Sequence, residues 1–318
     1  MPRRVSLTML ISALFLAGLA GCSTHVPGRR APAEPAQPTA LATPQVPAGH
    51  APENPYPVGV RDLKLNRDGR PLPVRIWYPA LGENGPVTPG LLPAHGRFPV
   101  VMFSHGLGGR PADYATLLTR WARAGFVVAA PTFPHTSTGA DNNVLDVLNQ
   151  PADVSYALDQ VLALDTRADD PLRGRLDADR VAAAGHSAGG VTTIGLFTTN
   201  RDERLDAGVV FAGTALGVGT AFAGAAAPQL FVHGELDEVV EYAAGKAAYD
   251  KVPWPKAMLS LPKGDHGRTM LKDKAALRVV SDTSIEFLRW SLYGDAEAKK
   301  RIPTDATRGD IATFDNHL

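Results

Sequence analysis

Val181-Ala-Ala-Ala-Gly-His-Ser-Ala-Gly-Gly190 is a short apolar strand that runs into Gly185-His-Ser-Ala-Gly189 and on into a helix-compatible segment. The G-x-S-x-G spacing is that of a nucleophile elbow. A serine on so sharp a strand-to-helix turn is held at strained φ/ψ and pushed out at the end of its strand. The turn closes only if the flanking positions are as small as glycine. The helix that begins there aims its N-terminal N–H groups at an acyl oxygen on which negative charge develops during attack by Ser187. Ala188 N–H is the nearest such donor.

Upstream of the elbow, Phe98-Pro-Val-Val-Met-Phe103 is apolar enough to be buried on both faces, as in a parallel sheet, and Ser104-His-Gly-Leu-Gly-Gly109 follows at once. Tyr114, Leu117, Leu118 and Trp121 fall at i, i+3, i+4 and i+7, which marks a buried helix face ending near Gly125. A strand over 126–130 and a long loop over 131–149 come next. Pro151 then opens a helix whose apolar positions are Val154, Ala157, Leu158 and Val161. Beyond the elbow, 205–212, 229–232 and 256–261 read as strands, the last of these closing the sheet. Helices are expected over 241–251 and 273–293, the second stopped by Gly294. Before all of these, strands over 58–65 and 72–78 are joined by the turn Asn66-Arg-Asp-Gly69, and Pro71 and Pro73 predict that the second of them is an edge strand. Alternating strands and helices imply an α/β fold with a mainly parallel sheet covered on both faces, and 318 residues suffice for one such domain.

The N-terminus has a different character. Arg3 and Arg4 precede an apolar run over 5–20 that ends in Leu19-Ala-Gly-Cys22. The run is shorter than the roughly 20 residues of a spanning helix and is interrupted by Ser6, Thr8 and Ser12, so it reads as a secretory signal over 1–21. Leu-Ala-Gly-Cys resembles the lipobox of bacterial lipoproteins. That resemblance implies cleavage before Cys22, lipidation of Cys22 and attachment to a membrane of the cell envelope, the outer membrane in a Gram-negative host. Nine prolines among Ala, Thr, Gln and Gly over 23–57 cannot bury a core, so 22–57 reads as an extended tether to a domain over 58–294. Residues 295–318 read as a polar, peripheral tail. Lys and Arg together number 32 and Asp and Glu 32, a balance that offers nucleic acid no electrostatic footprint. The one cysteine excludes an internal disulfide.

Ser187 needs a base and an acid, and in a sheet of this type they come from loops after the carboxyl ends of strands. Of nine histidines, only His266, in Lys263-Gly-Asp-His-Gly267, directly follows the last core strand. Asp237, in His233-Gly-Glu-Leu-Asp-Glu238, follows the strand over 229–232, with Glu235 and Glu238 as rival acids. Its role would be to orient His266 so that Nε2 takes the serine proton. A second oxyanion donor is expected from His105-Gly-Leu-Gly-Gly109, where Leu107 N–H is the candidate; no Lys-Ser/Thr follows these glycines, so a phosphate loop is excluded. His105 and His186 read as supporting residues. No Cys/His or Asp/Glu grouping has metal-ligand spacing, and no cofactor is expected.

Ser187, Asp237 and His266 stand in the chain order of the α/β-hydrolase triad. With Pro99-Val-Val-Met-Phe-Ser-His-Gly-Leu-Gly-Gly109, Ala124-Gly-Phe-Val-Val-Ala-Ala-Pro131 and Gly185-His-Ser-Ala-Gly-Gly190, residues 57–294 resemble α/β-hydrolases of the platelet-activating-factor acetylhydrolase and predicted dienelactone hydrolase group. The resemblance implies ester hydrolysis through a serine acyl-enzyme, with Leu107 and Ala188 as oxyanion donors. True dienelactone hydrolases carry a cysteine where this chain has Ser187, which argues against that activity. Bacterial polyester hydrolases are a more distant likeness and typically have an aromatic residue at the position of His186.

Cap domains in this fold usually follow the strand that here ends near Ala212, and the small-residue stretch 213–227 leaves no room for a helical lid. An open, shallow acyl pocket is expected, walled by Leu107, the 133–149 loop and residues near Leu216 and Phe222. The sequence therefore points to a lipid-anchored carboxylic-ester hydrolase for short-acyl or lipid-like esters. The alternatives are an amidase or peptidase with the same triad, and a non-catalytic binding module tethered at the envelope.

Overall fold

The computed structural model describes residues 49–318; the signal-like run, Cys22 and the tether up to residue 48 lie outside the described residues. The strands are β1 (Val58–Arg67), β2 (Arg70–Pro79), β3 (Thr88–Pro89), β4 (Phe98–Ser104), β5 (Val127–Pro131), β6 (Leu176–His186), β7 (Leu205–Phe211), β8 (Gln229–Gly234), β9 (Lys256–Leu261) and β10 (Thr313–His317). They form one sheet in the order β10-β9-β8-β7-β6-β4-β5-β2-β1-β3. Pairing is parallel from β5 through β4, β6, β7 and β8 to β9, and antiparallel at β1/β2, β2/β5 and β9/β10. This is the α/β-hydrolase fold.

The helices are α1 (Ala115–Arg123), α2 (Gln150–Leu162), α3 (Ala188–Gly195), α4 (Tyr242–Lys251), α5 (Arg268–Lys272), α6 (Lys274–Leu288) and α7 (Ala296–Ala306). Leu117, Trp121, Phe287 and Ile302 cover one face of the sheet; Leu158, Ile194 and Tyr249 cover the other. Successive residues of β4 serve the two layers in turn, Val101 and Phe103 facing one, Val100 and Met102 the other. Burial on both sides explains why β4 and β5 are apolar along nearly their whole length and why β8 is apolar at its centre. The chain turns back at β4, which has β5 on one side and β6 on the other. Such a reversal opens a crevice at the carboxyl ends of the strands.

Three expectations from the sequence need correction. First, β2 is internal, flanked by β1 and β5, but β5 pairs only with Val74, Arg75, Ile76 and Trp77. Pro71 and Pro73 lie past that doubly paired stretch, so the missing N–H groups cost the ladder little. Second, the tether ends earlier than residue 57. Gly49 bridges to Asp295, Ala51 is buried, and Tyr56 N–H donates to the Arg123 carbonyl at 2.9 Å. Third, residues 295–318 are not a peripheral tail. Asp295 caps α7 by accepting from Glu297 N–H and Ala298 N–H, both at 3.0 Å, and Ala298, Ile302 and Ala306 enter the core. Burying Ile302 alone is worth roughly 1.5–3 kcal/mol. β10, not β9, ends the sheet, pairing Thr313 with Ser260 and His317 with Lys256.

Candidate active site

Ser187 sits between β6 and α3 at φ 58° and ψ −119°, a left-handed backbone that a serine adopts only when its surroundings impose it. The flanking glycines make this possible by close approach. A Cβ on Gly185 would lie 2.1 Å from the Gly189 carbonyl oxygen, and one on Gly189 would lie 2.0 Å from that of Ser104. The elbow is thus wedged against the end of β4, which brings Ser187 beside the glycine-rich loop that follows.

Two further turns converge on it. After β8, Glu235 N–H donates to the Leu261 carbonyl and Leu236 N–H to that of Gly264, each at 2.9 Å, which ties the Asp237 turn to the His266 turn. His266 Nδ1 lies 2.8 Å from Asp237 Oδ2, and His266 Nε2 lies 2.7 Å from Ser187 Oγ. A carboxylate only accepts, so Nδ1 carries the proton and Nε2 is free to accept from the serine hydroxyl. Asp237 Oδ1 accepts from Val239 N–H and Val240 N–H at 2.8 and 2.9 Å. Burial would raise the Asp237 carboxyl, but hydrogen bonds from His233, His266 and Val240 outweigh it and hold the group well below the usual carboxylate range. The rival acids Glu235 and Glu238 are exposed, whereas Asp237 is buried.

Leu107 and Ala188 directly follow Gly106 and Ser187 in the chain, and a Cβ on Gly106 would lie 3.1 Å from Ser187 Cβ. In the loop after β4, Gly106 N–H donates to Tyr114 Oη (3.0 Å), Gly108 N–H to the Thr136 carbonyl (2.7 Å) and Gly109 N–H to the Gly106 carbonyl (2.9 Å). Leu107 N–H and Ala188 N–H have no acceptor among the described residues. Ala188 is the first residue of α3, where the helix leaves its N–H groups open. Chemically, the arrangement offers a hydroxyl with a proton acceptor beside it and two uncommitted N–H groups on adjoining segments.

The pocket walls differ in part from expectation. Residues 213–227 contain no helix. Leu216 is exposed beside the 3₁₀ turn Val144–Leu148, whose Val144, Leu145 and Leu148 are also exposed; a Cβ on Gly217 would lie 2.9 Å from Leu148 Cδ2. Phe222 does not join this rim. Its ring packs edge-on against Trp254 at 5.7 Å, and Trp254 precedes β9, at the opposite end of the parallel strands from Ser187.

Sequence reasoning missed two side chains. His233 Nε2 lies 2.9 Å from the Val240 carbonyl and 3.3 Å from Asp237 Oδ2, so it adds a donor to the carboxylate. Tyr114, legible only as an apolar helix position, places its hydroxyl 3.0 Å from His186 Nδ1. The signal available for it was that a buried tyrosine needs a partner for its hydroxyl.

An α/β-hydrolase sheet with a serine, a histidine and a buried aspartate hydrogen-bonded in series at its carboxyl edge defines the general class, that of the serine hydrolases built on this fold. The chlorophyllase family model matches residues 87–236, and this similarity supports a hydrolase of the serine-esterase type. The matched span takes in Leu107, Ser187 and Ala188 and stops one residue before Asp237. No curated protein matches the chain significantly.

Proposed function

We propose that this protein is a carboxylic-ester hydrolase that cleaves short-acyl or lipid-like esters through an acyl-enzyme on Ser187. The observation that carries the reading is the continuous hydrogen-bonded series Ser187–His266–Asp237, at 2.7 and 2.8 Å. Ser187 Oγ attacks the ester carbonyl while His266 Nε2 takes its proton. Leu107 N–H and Ala188 N–H receive the developing oxyanion, and the imidazolium, steadied by Asp237, returns the proton to the leaving alcohol. Water then repeats the sequence in reverse to release the acid. The open rim of Val144, Leu145, Leu148 and Leu216 suits an apolar portion of the substrate without enclosing it.

Each buried methylene contributes about 0.8 kcal/mol, so a shallow site gains from the first few carbons and then no further. In a p-nitrophenyl ester series, kcat/KM should be best for acetyl to butyryl esters and level off beyond them, with no jump when substrate passes its solubility limit. Ser187→Ala should be inactive throughout. A steady rise through dodecanoyl, or interfacial activation, would contradict the open pocket, and hydrolysis by Ser187→Ala would contradict the reaction.

A further inference from the structure

Between the elbow and its neighbours runs a buried chain of hydrogen bonds whose direction is fixed at both ends. Gly106 N–H can only donate, and it meets Tyr114 Oη at 3.0 Å. The His266 carbonyl can only accept, and His186 Nε2 lies 2.7 Å from it. Tyr114 Oη and His186 Nδ1 close the series at 3.0 Å. Only one proton arrangement satisfies all three contacts: Gly106 N–H to Tyr114 oxygen, Tyr114 O–H to His186 Nδ1, and His186 Nε2–H to the His266 carbonyl. We propose that Tyr114 and His186 are positioning residues, a proton-ordered strut that sets the Leu107 donor and the His266 ring relative to Ser187. The proposal rests on the esterase reading above.

The strut joins the three segments that meet at the reacting atoms. His186 is the residue before Ser187, Gly106 the residue before Leu107, and the accepting carbonyl belongs to His266 itself. By occupying Gly106 N–H, Tyr114 leaves Leu107 as the loop's uncommitted donor. The environment favours the required protonation. Burial, reinforced by the neighbouring His266, pushes the His186 imidazole down to about 4, and burial raises the Tyr114 hydroxyl to about 12. Tyr114, His266, Asp237 and His233 are the titratable groups around His186. A neutral His186 also places no second positive charge beside the imidazolium that forms on His266 during turnover. Were His186 protonated, Nδ1–H would point at the Tyr114 oxygen and leave the buried tyrosine proton without an acceptor.

His105 supplies a contrast nearby. Phe133 N–H donates to its Nε2 at 3.1 Å, and its Nδ1 lies 2.8 Å from the Gly106 carbonyl, so it must hold the opposite tautomer, protonated on Nδ1.

The test combines spectroscopy with kinetics. In protein carrying ¹⁵N-labelled histidine, assigned by single substitutions, His186 should stay in the neutral Nε2–H form from pH 8 to about pH 5, while an ordinary histidine titrates near 6.5. Tyr114→Phe should lower kcat by about tenfold at nearly constant KM, because it strands one donor and one acceptor. His186→Gln, whose amide can accept from Tyr114 and donate to the His266 carbonyl, should stay within about threefold of wild type, whereas His186→Leu should lose at least about tenfold. A His186 that titrates near 6.5, or that carries its proton on Nδ1, would overturn the strut. So would kcat unchanged by Tyr114→Phe and His186→Leu while Ser187→Ala is inactive. Full activity in Ser187→Ala would instead overturn the esterase reading, leaving the tautomer measurement to judge the strut by itself.

Discussion

Two buried polar clusters hold loops in this molecule, and they are wired differently. Around Ser187, apart from the Asp237 carboxylate that orients His266, the links are neutral: Tyr114 and His186 together, and His105 by itself, join backbone groups of neighbouring turns through hydrogen bonds. On the β1–β2 side the links are ionic. Arg70 bonds both oxygens of Asp146 at 2.8 Å and both of Asp153 at 3.1 and 2.7 Å, and Arg67 adds a contact to Asp153 at 3.0 Å. That cluster fastens the 3₁₀ turn Val144–Leu148 and the start of α2 to the hairpin. Both clusters order irregular chain where no ladder can. The difference follows from location. Asp237 already supplies the one carboxylate that steadies His266, and further fixed charges near Ser187 would perturb a site in which charge must appear on His266 and on the ester oxygen, whereas charges far from it cost only their own desolvation, which mutual pairing offsets.

If this contrast is right, breaking the ionic cluster should cost stability and spare chemistry. Arg70→Met leaves the buried Asp153 with Arg67 as its one cation and Asp146 with no cation, only the Asn149 amide, and should destabilise the fold by about 3 kcal/mol in urea titrations. Its effect on kcat, measured on folded protein, should be smaller than that of Tyr114→Phe. A variant with wild-type stability, or one whose kcat collapses while the fold stays intact, would erase the distinction between the clusters.

The neutral cluster makes the opposite kind of prediction, a dependence on pH. Burial depresses His105, and burial with His266 depresses His186 to about 4, below the ordinary value near 6.5. The unfolded chain therefore binds more protons in this window. Stability is complete above about pH 6.5 and falls as pH is lowered toward 4, with His186 alone accounting for roughly 2 kcal/mol by pH 5. His186→Gln should flatten the slope of unfolding free energy between pH 7 and 5. A slope that is absent in wild type, or unchanged in the variant, would show that these imidazoles are not held neutral by the fold.

How much of this was legible in the sequence depends on whether a feature is local. The elbow could be read because its constraints fall on five adjacent residues, and β4 and β5 because burial on both faces leaves an unbroken apolar run. Asp237 and His266 could be placed because loops at the carboxyl ends of strands are where such residues gather. β2 was misjudged because the proline rule concerns which residues are paired on both sides, and that is set by how far β5 extends. α7 escaped notice because its buried apolar stripe is only Ala298, Ile302 and Ala306 among charged residues, with Pro303 inside the helix. β10 has no apolar alternation, since most of its residues are exposed at the sheet edge. The strut was beyond reach for a simpler reason: Tyr114 and His186 are 72 residues apart, and nothing near either one in the chain signals the other.

The central claim is that Ser187 is a nucleophile activated by His266. The direct test is to treat the folded protein with a fluorophosphonate probe and map the modified residue by mass spectrometry, in wild type and in His266→Ala. A single covalent adduct on Ser187 is expected in wild type, with labelling slowed by orders of magnitude in the variant. An adduct on any other serine, or equal labelling of Ser187 with and without His266, would contradict it.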